Sequence, residues 1–458
     1  MKRTRICEVL NSDDQYKGEI LIKGWVRTKR QSKGVSFLEL NDGSCLENLQ
    51  IVLEDEIDTD NVLRDIGTGA SVEIKGEVVE SPGKGQKWEI QANQVRLIGI
   101  ADPETYPLQK KRHSDEFLRT ISHLRARTNK YGALYRLRSE LSFAIHNFFH
   151  EREFFYIHTP VITGLDCEGA GELFRVSSFD LDSGTQNSVE EDFFGKRAYL
   201  TVSGQLTAET LACALGNVYT FGPTFRAEDS NTPRHAAEFW MVEPEVAFAD
   251  LEEIIDLAEE FVVYLVKHLR KHSASDLNLF SRFVDQSLPE RLDMVQNSNF
   301  VRLDYEQAIE ILKQAKNKFQ FEPVYGSDLQ TEHERFLTEH YFQGPVIVYN
   351  FPKQIKPFYM KVNQDNRTVA CLDVLLPDIG EIIGGSQRED SLQVLENRME
   401  KLGMNKQEYE WYLDLRRFGT VPHSGFGLGF ERLLMFTTGV SNIRDVIPFP
   451  RTPNNLDF

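Results

Sequence analysis

The sequence predicts an α+β protein of two or three domains, a small N-terminal β-barrel followed by a larger unit built on an antiparallel sheet flanked by helices. Three observations carry this. Five short β-like runs fall before residue 100 of the 458. From Tyr131 onward, apolar residues recur at helical spacing, as at Leu134, Leu137, Leu141, Ile145 and Phe148. Between Val218 and Val246, two apolar runs flank a short polar turn and read as strand, loop, strand.

The five early runs are Gly18–Arg27, Val35–Leu40, Leu49–Leu53, Ala70–Val79 and Trp88–Leu97. The first two alternate apolar and polar residues, and Asn41-Asp42-Gly43 turns the chain after the second. Gly24 and Gly76, inside strands, mark bulges or barrel corners. Five strands in this length predict a closed OB-fold barrel over residues 1–103, a fold that binds oligonucleotides across its sheet face. Arg27, Phe37 and Gln50 are the candidates on that face, an aromatic to stack a base and polar groups to read its edge. Phe37 also reads as a plain core aromatic.

Composition excludes several classes. Hydrophobic content of 41% and charged content of 27% are those of a globular chain, and no apolar stretch approaches the length of a membrane span. The basic N-terminus leads into a candidate strand with Glu8 and Asn11, not an apolar signal core, so no secretory signal is expected. Cys7, Cys45, Cys167, Cys213 and Cys371 form no Cys-x-x-Cys pair, which argues against a zinc ribbon or disulfide framework and fits a reducing cytoplasm. A net charge of −18 makes general nucleic-acid binding a poor default. The exception is Gln109–Arg138, where nine Lys/Arg face only Asp115 and Glu116. That segment suits either a limited nucleic-acid footprint or a solvated linker helix; residues 104–130 read as a basic linker.

Beyond it, a helix over 131–152 runs into Phe154–Thr163, a strand interrupted by Pro160. Gly164–Gly171 is a loop carrying Glu168, and Leu200–Leu206 a strand ending in Ser203, Gly204 and Gln205. Asp250 is a candidate N-cap for an amphipathic helix reaching His272. Residues 273–345 look helical and polar, with little concentrated chemistry; His333 and His340 read as surface residues rather than a metal site. Strands resume at Pro345–Phe351, Pro357–Asn363 and Val369–Leu376.

The Val218–Val246 hairpin carries Arg226, Glu228, Arg234, His235, Glu238, Glu243 and Glu245 on what should be a buried sheet face. Charged groups rarely sit there unless paired or liganded. By itself the cluster fits a polyanion site such as a nucleoside triphosphate's, or a structural ion-pair network.

Three features appear in order: the long helix and its strand ending Thr159-Pro160; Phe225-Arg226-Ala227-Glu228 with Arg234-His235 and Glu238-Phe239; and Gly425-Phe-Gly-Leu-Gly429-Phe-Glu-Arg432. Together they resemble motifs 1, 2 and 3 of the class II aminoacyl-tRNA synthetases, and with the barrel in front the resemblance spans nearly the whole chain. It is to the aspartyl, asparaginyl and lysyl subgroup. Ser203-Gly204-Gln205-Leu206, Asp166–Gly171 and Arg234–Met241 look like its asparaginyl branch of bacterial type.

The resemblance implies a class II catalytic domain over 131–458, with 273–345 as a helical insertion, behind an anticodon-binding barrel. The implied activity is ATP-dependent ligation of asparagine to tRNA(Asn) through an asparaginyl-adenylate. Arg226 would bridge the α-phosphate and the amino-acid carboxylate as charge develops. Glu228 would accept from the adenine amino group and Phe239 stack on the ring. Arg234 and His235 would grip the outer phosphates, and Arg432 the γ-phosphate, beside glycines (Gly429 among them) that let the nucleotide approach the backbone. Glu381 and Asp373 would offer oxygens to Mg²⁺ carried with ATP; Asp373 also reads as an ordinary strand-end residue. Glu168, Ser203 and Gln205 would hold the amino acid, Arg388 donating to the amide oxygen and Glu209 accepting from the amide nitrogen. Glu209 also reads as an exposed first-turn helix residue. Aspartyl relatives place a lysine where this chain has Ala208, which argues against aspartate. Phe37, Gln50 and, more weakly, Arg27 would contact the anticodon, and the motif 1 helix and strand would form a homodimer. Rival readings are a non-discriminating aspartyl enzyme, a synthetase-like enzyme that makes asparagine, and an oligonucleotide-binding protein with an inactive catalytic domain.

Overall fold

Strands β1 (Glu19–Ser32), β2 (Val35–Asn41), β3 (Leu49–Glu54), β4 (Ser71–Glu80) and β5 (Trp88–Gly99) close into a barrel in the order β1-β2-β3-β5-β4. This computed structural model describes all residues except 1, 13–17, 55–61, 84, 166–172, 181–187, 231 and 317. The barrel encloses Ile22, Leu38, Leu40, Leu49, Ile51, Ile74 and Ile90, all fully buried, as period-two alternation requires. The N-terminal segment expected as a strand is instead a short helix, Ile6–Leu10, with Ile6 and Val9 buried in the barrel core.

The chain divides into Met1–Arg136 and Leu137–Phe458, a division that falls inside the helix Asn129–His150. The second unit holds β6 (Phe155–Tyr156), β7 (Ile162–Thr163), β8 (Arg175–Val176), β9 (Ala198–Leu200), β10 (Asn217–Phe225), β11 (Glu238–Ala247), β12 (Val301–Asp304), β13 (Val346–Tyr349), β14 (Cys371–Leu376), β15 (Gly380–Gln387) and β16 (His423–Gly429). Eight of these form one sheet in the order β12-β13-β14-β15-β16-β11-β10-β6, and β7-β9-β8 form a small second one. The large sheet is mixed rather than wholly antiparallel, because β12 runs parallel to β13 and β6 parallel to β10.

Other expectations are corrected. Pro160 splits the expected strand so completely that β6 and β7 join different sheets. Ser203 lies outside any strand, and the helix Gln205–Leu215 already begins at Gln205. Residues 357–363 make only isolated bridges, Met360 with Arg388 and Val362 with Val369. Residues 273–345 contribute an edge strand, β12, as well as helices. His333 is a buried structural residue, its ring nitrogens 3.1 Å from Gln330 N and 2.8 Å from Phe321 O.

One sheet face is covered by the helix Leu251–His272, whose Ile254, Ala258, Phe261, Leu265 and Leu269 are buried and which packs on β14, β15 and β16. Asp250 caps it, accepting from Glu253 N at 3.0 Å while its own N–H donates to Glu253 Oε2 at 2.9 Å. The opposite face is where β11 carries Phe239, Met241, Glu243 and Glu245 at every second position. Their neighbours on β16 are glycines: Met241 lies opposite Gly429 and Glu245 opposite Gly425. A Cβ at Gly425 would overlap Glu245 Oε1 and the Pro244 carbonyl oxygen, and one at Gly427 would overlap Met241 Cε. The glycine repeat thus makes room for the long side chains of β11. Gly425→Ala is expected to destabilise the chain by ~1–3 kcal/mol through overpacking; an unchanged denaturant midpoint with unchanged m would count against this reading of β16.

Candidate active site

Every residue assigned from sequence to the nucleotide lines a single cleft: Arg226, Glu228, Arg234, His235, Phe239, Glu381, Gly429 and Arg432. Sheet order explains the convergence, since β15, β16, β11 and β10 are consecutive neighbours. Just past β10, Arg226 N donates to Ala237 O at 3.0 Å, and the guanidinium stands 5.5 Å from the Phe239 ring centroid. Arg432 Nη1 donates to the Glu381 carbonyl at 2.9 Å and lies 3.6 Å from its carboxylate. Arg234 donates to Thr331 Oγ1 and to Asp378 O, both at 3.3 Å. His235 Nδ1 lies 2.6 Å from Thr232 Oγ1 and 3.0 Å from Ser230 Oγ. Partial desolvation lowers the His235 pKa against the pull of Glu228, and the nearby Arg432, Arg226 and Arg234 charges lower it further. Three arginines around one cleft suit a polyanion.

The residues assigned to the amino acid gather at the far end of β11. Ser203 Oγ donates to the Glu243 carboxylate, which also accepts from Gly204 N at 3.0 Å and Thr220 Oγ1 at 3.1 Å. Gln205 Nε2 donates to Glu209 Oε1 at 3.1 Å. Glu209 is not the exposed first-turn residue of the alternative reading; it is engaged by the chain's own side chains. Its carboxylate is 0% exposed, and Oε2 accepts from Tyr412 OH at 2.8 Å and Arg416 Nη2 at 3.1 Å, with His423 Nε2 at 2.9 Å. Burial raises its pKa, but the His423 hydrogen bond and the Arg416 charge together hold it well below the ordinary carboxylate range. Glu209 is therefore an internal anchor. The partner of Arg388 is Glu245, bound through Nε at 3.1 Å and through Nη2, while Nη1 donates to Ser386 Oγ at 2.7 Å. Glu168 lies outside the described residues.

The two expected metal ligands stand differently. Glu381 faces the cleft with its side chain 41% exposed. Asp373 does not line it, and its oxygens accept from Lys356 Nζ at 2.8 and 3.1 Å. Both carboxylates still approach Gly384, whose Cβ position lies 3.0 Å from Glu381 Oε1 and 3.6 Å from Asp373 Oδ1. Among the described residues, no group of three or more His, Cys, Asp or Glu is arranged to hold a metal. A third carboxylate is near, since Glu334 Oε2 accepts from Glu381 N at 3.4 Å. Desolvation, and then the Glu381 charge, push the Glu334 carboxyl up to about 7.

In the first unit, Phe37 pairs across the barrel with Arg30 and Val52, and Gln50 with Glu39 and Glu89. Gln50 Nε2 donates to Glu89 Oε2 at 2.9 Å, which directs its carbonyl oxygen elsewhere. Phe37 and Gln50 thus share a face, with Phe37 half-buried. Arg27 sits in a one-residue bulge, where the register shifts between Val26 and Thr28. Thr28 and Arg30 take the Phe37 side, and Arg27 lines a cleft with Trp25, Tyr106, Lys110, Lys111 and Arg127. No acidic residue lines that cleft among the described residues.

Residues 114–453 match the model for tRNA synthetases class II (D, K and N). The chain belongs to the class II tRNA synthetases of the D, K and N group. Residues 20–98 match an OB-fold nucleic acid binding domain. This synthetase is 60% identical over 462 residues to an asparagine–tRNA ligase of Nitratidesulfovibrio vulgaris (strain DP4), with all of both chains covered. It is 57% identical over 456 residues to one from Microcystis aeruginosa, covering 99% of this chain and 100% of the other. Its fold is similar to a crystal structure of asparaginyl-tRNA synthetase from Pyrococcus horikoshii complexed with asparaginyl-adenylate, with a TM-score of 0.86, 33% identity, and coverage of 100% of this chain and 99% of that one.

Several residues of the synthetase site escaped the sequence reading. Glu245 was visible only as one of a row of alternating glutamates. Tyr412 and Arg416 lie on the helix Glu410–Arg417, where they read as ordinary amphipathic positions. Glu89, on β5, is 3% exposed and ties together Gln50, Ser81, Gln86 and Gln91.

Proposed function

We propose that this synthetase joins asparagine to tRNA(Asn) in two steps, forming asparaginyl-adenylate and pyrophosphate from asparagine and ATP and then passing the acyl group to the terminal ribose of the tRNA. The observation that carries the reading is the convergence of Arg226, Glu228, Arg234, His235, Phe239, Glu381, Gly429 and Arg432 on one cleft. The full-length similarity to asparagine–tRNA ligases supports the choice of amino acid. So does charge. Around the amide end, Glu209 and Glu245 are matched by Arg388 and Arg416. A neutral amide leaves that balance intact, whereas aspartate would bring an unmatched carboxylate into a desolvated site. The Arg388–Glu245 ion pair presents donors beside an acceptor, which complements an amide's oxygen and NH₂. Glu209, from beneath, holds Gln205 and the Arg416 helix rather than the substrate. Ala208 is fully buried and brings no cation.

Arg226 is assigned to the α-phosphate and the amino-acid carboxylate, Glu228 and Phe239 to adenine, and Arg234, His235 and Arg432 to the outer phosphates. Mg²⁺ entering with ATP supplies charge neutralisation at the phosphates; Glu381 would hold it, with Asp373 joining only by exchanging its Lys356 partner. We assign Phe37 and Gln50 to anticodon bases, and the acid-free cleft around Arg27 to tRNA phosphates. Exposed Phe143, Phe155, Tyr156 and Ile162, on the motif 1 helix and strands, support a homodimer.

ATP–pyrophosphate exchange with asparagine and aspartate side by side tests the amino acid; faster exchange with aspartate would refute it. Phe37→Ala is expected to cost ~1–3 kcal/mol of tRNA binding, the worth of one base stack, and to lower tRNA charging far more than exchange. An equal loss in both assays would remove Phe37 from the anticodon site.

A further inference from the structure

We infer that the short helix Thr331–Arg335, through Glu334 and Thr331, is a positioning element for the triphosphate end of the cleft, an inference that rests on reading the cleft as an ATP site. This helix lies in the segment where the sequence pointed to no chemistry. Two functional groups are nevertheless hung on it. Arg234, one of the phosphate-facing cations, donates from Nη1 to Thr331 Oγ1 at 3.3 Å. The peptide of Glu381, the carboxylate best placed for a cation, is clamped on both sides. Its N–H donates to Glu334 Oε2 at 3.4 Å, and its carbonyl accepts from Arg432 Nη1 at 2.9 Å.

The turn leading into Glu381 has little freedom to do anything else. Asp378 and Gly380 both take positive φ, at 67° and 78°, a conformation that surrounding contacts must hold for a residue such as Asp378. Those contacts come from the same segment. Asp378 N donates to Glu339 Oε1 at 3.0 Å, and its carboxylate accepts from Arg291 Nη1 at 2.6 Å. Its carbonyl accepts from Arg234 Nη2 at 3.3 Å. A Cβ at Gly380 would overlap Glu334 Oε2, so Glu334 and the turn are pressed together. The segment therefore acts as a brace: it sets the turn, the turn sets Glu381, and Arg234 is tied to both helix and turn. Glu334 is a positioning residue, acting through the Glu381 peptide.

The test uses the full chain with Glu334→Ala, Glu334→Gln and Thr331→Val. The readouts are the ATP KM, the asparagine KM and the Mg²⁺ concentration for half-maximal ATP–pyrophosphate exchange, with Mg–ATP affinity by calorimetry alongside. Glu334→Ala is expected to raise the ATP KM and the Mg²⁺ requirement about tenfold, as loss of an orienting partner does, with the asparagine KM within about twofold. Glu334→Gln, which keeps an acceptor for the Glu381 N–H, should recover most of this. Thr331→Val, near-isosteric and on the surface, should raise the ATP KM about threefold, the worth of one ordinary hydrogen bond. Unchanged ATP KM and Mg²⁺ dependence in Glu334→Ala and Thr331→Val would overturn the inference. So would equal rises in both KM values together with a lowered unfolding midpoint, which would mark a merely structural role. If the parent chain shows no exchange with asparagine, the functional reading falls instead, and Mg–ATP affinity compared between parent and variants still decides the role of Glu334.

Discussion

Arg226→Ala is expected to lower asparagine-dependent ATP–pyrophosphate exchange by about 10²–10³-fold, the cost of removing one preorganised group that stabilises developing charge. The residue sits where β10 gives way to the polar turn, half-buried, lining the cleft and facing the Phe239 ring. Its neighbours Arg234 and Arg432 are tethered to backbone carbonyls, Asp378 O and Glu381 O. They keep the cleft positive without Arg226, so ATP should still bind. The loss should fall on kcat more than on the ATP KM, because the charge Arg226 neutralises is largest when two anions meet in the transition state. Thermal unfolding should change little, since Arg226 is half-buried on the cleft wall rather than inside a core cluster. Exchange within about threefold of the parent's, well inside the expected ~10²–10³-fold loss, would remove Arg226 from the chemistry.

Arg388→Ala is expected to act on stability and activity together. Its guanidinium is 2% exposed, held by Glu245 and 3.9 Å from Glu209. Removing one member of a buried pair leaves an uncompensated charge and costs about 3–5 kcal/mol. Glu245, whose pKa burial already raises, would gain the most by taking up a proton. The double variant Arg388→Ala/Glu245→Ala removes the orphaned charge and should regain much of that stability. It should not regain exchange, because the donor and acceptor for the amide are both gone. Chemical denaturation and exchange measured on both variants separate the two roles. A double variant that recovers asparagine-dependent exchange would show the pair to be structural only.

The sequence read well wherever one short stretch carries both pattern and chemistry. The barrel strands follow from period-two alternation over a few residues, and the observed β1–β5 differ from the expected runs mainly in length. Apart from Glu381, the residues assigned to the nucleotide sit in two compact motifs whose types already suit a polyanion. Where the sequence failed, the missing information was a register or a long-range partner. The bulge at Val26–Thr28, which brings Arg30 opposite Phe37, is announced by nothing in the local residues. Glu209 also read as an exposed first-turn residue because its helix position is visible locally, while its partners Tyr412, Arg416 and His423 lie some two hundred residues away.

The sequence by itself determined the two-part α+β architecture, the family and the residues that converge on one cleft, since local alternation, helical period and residue type are short-range properties. Only the tertiary structure decided which charges are available to a substrate and which are spent on one another. Burial and pairing depend on what the sheet order brings together, as it brings Glu245 to Arg388 and Glu334 to Glu381.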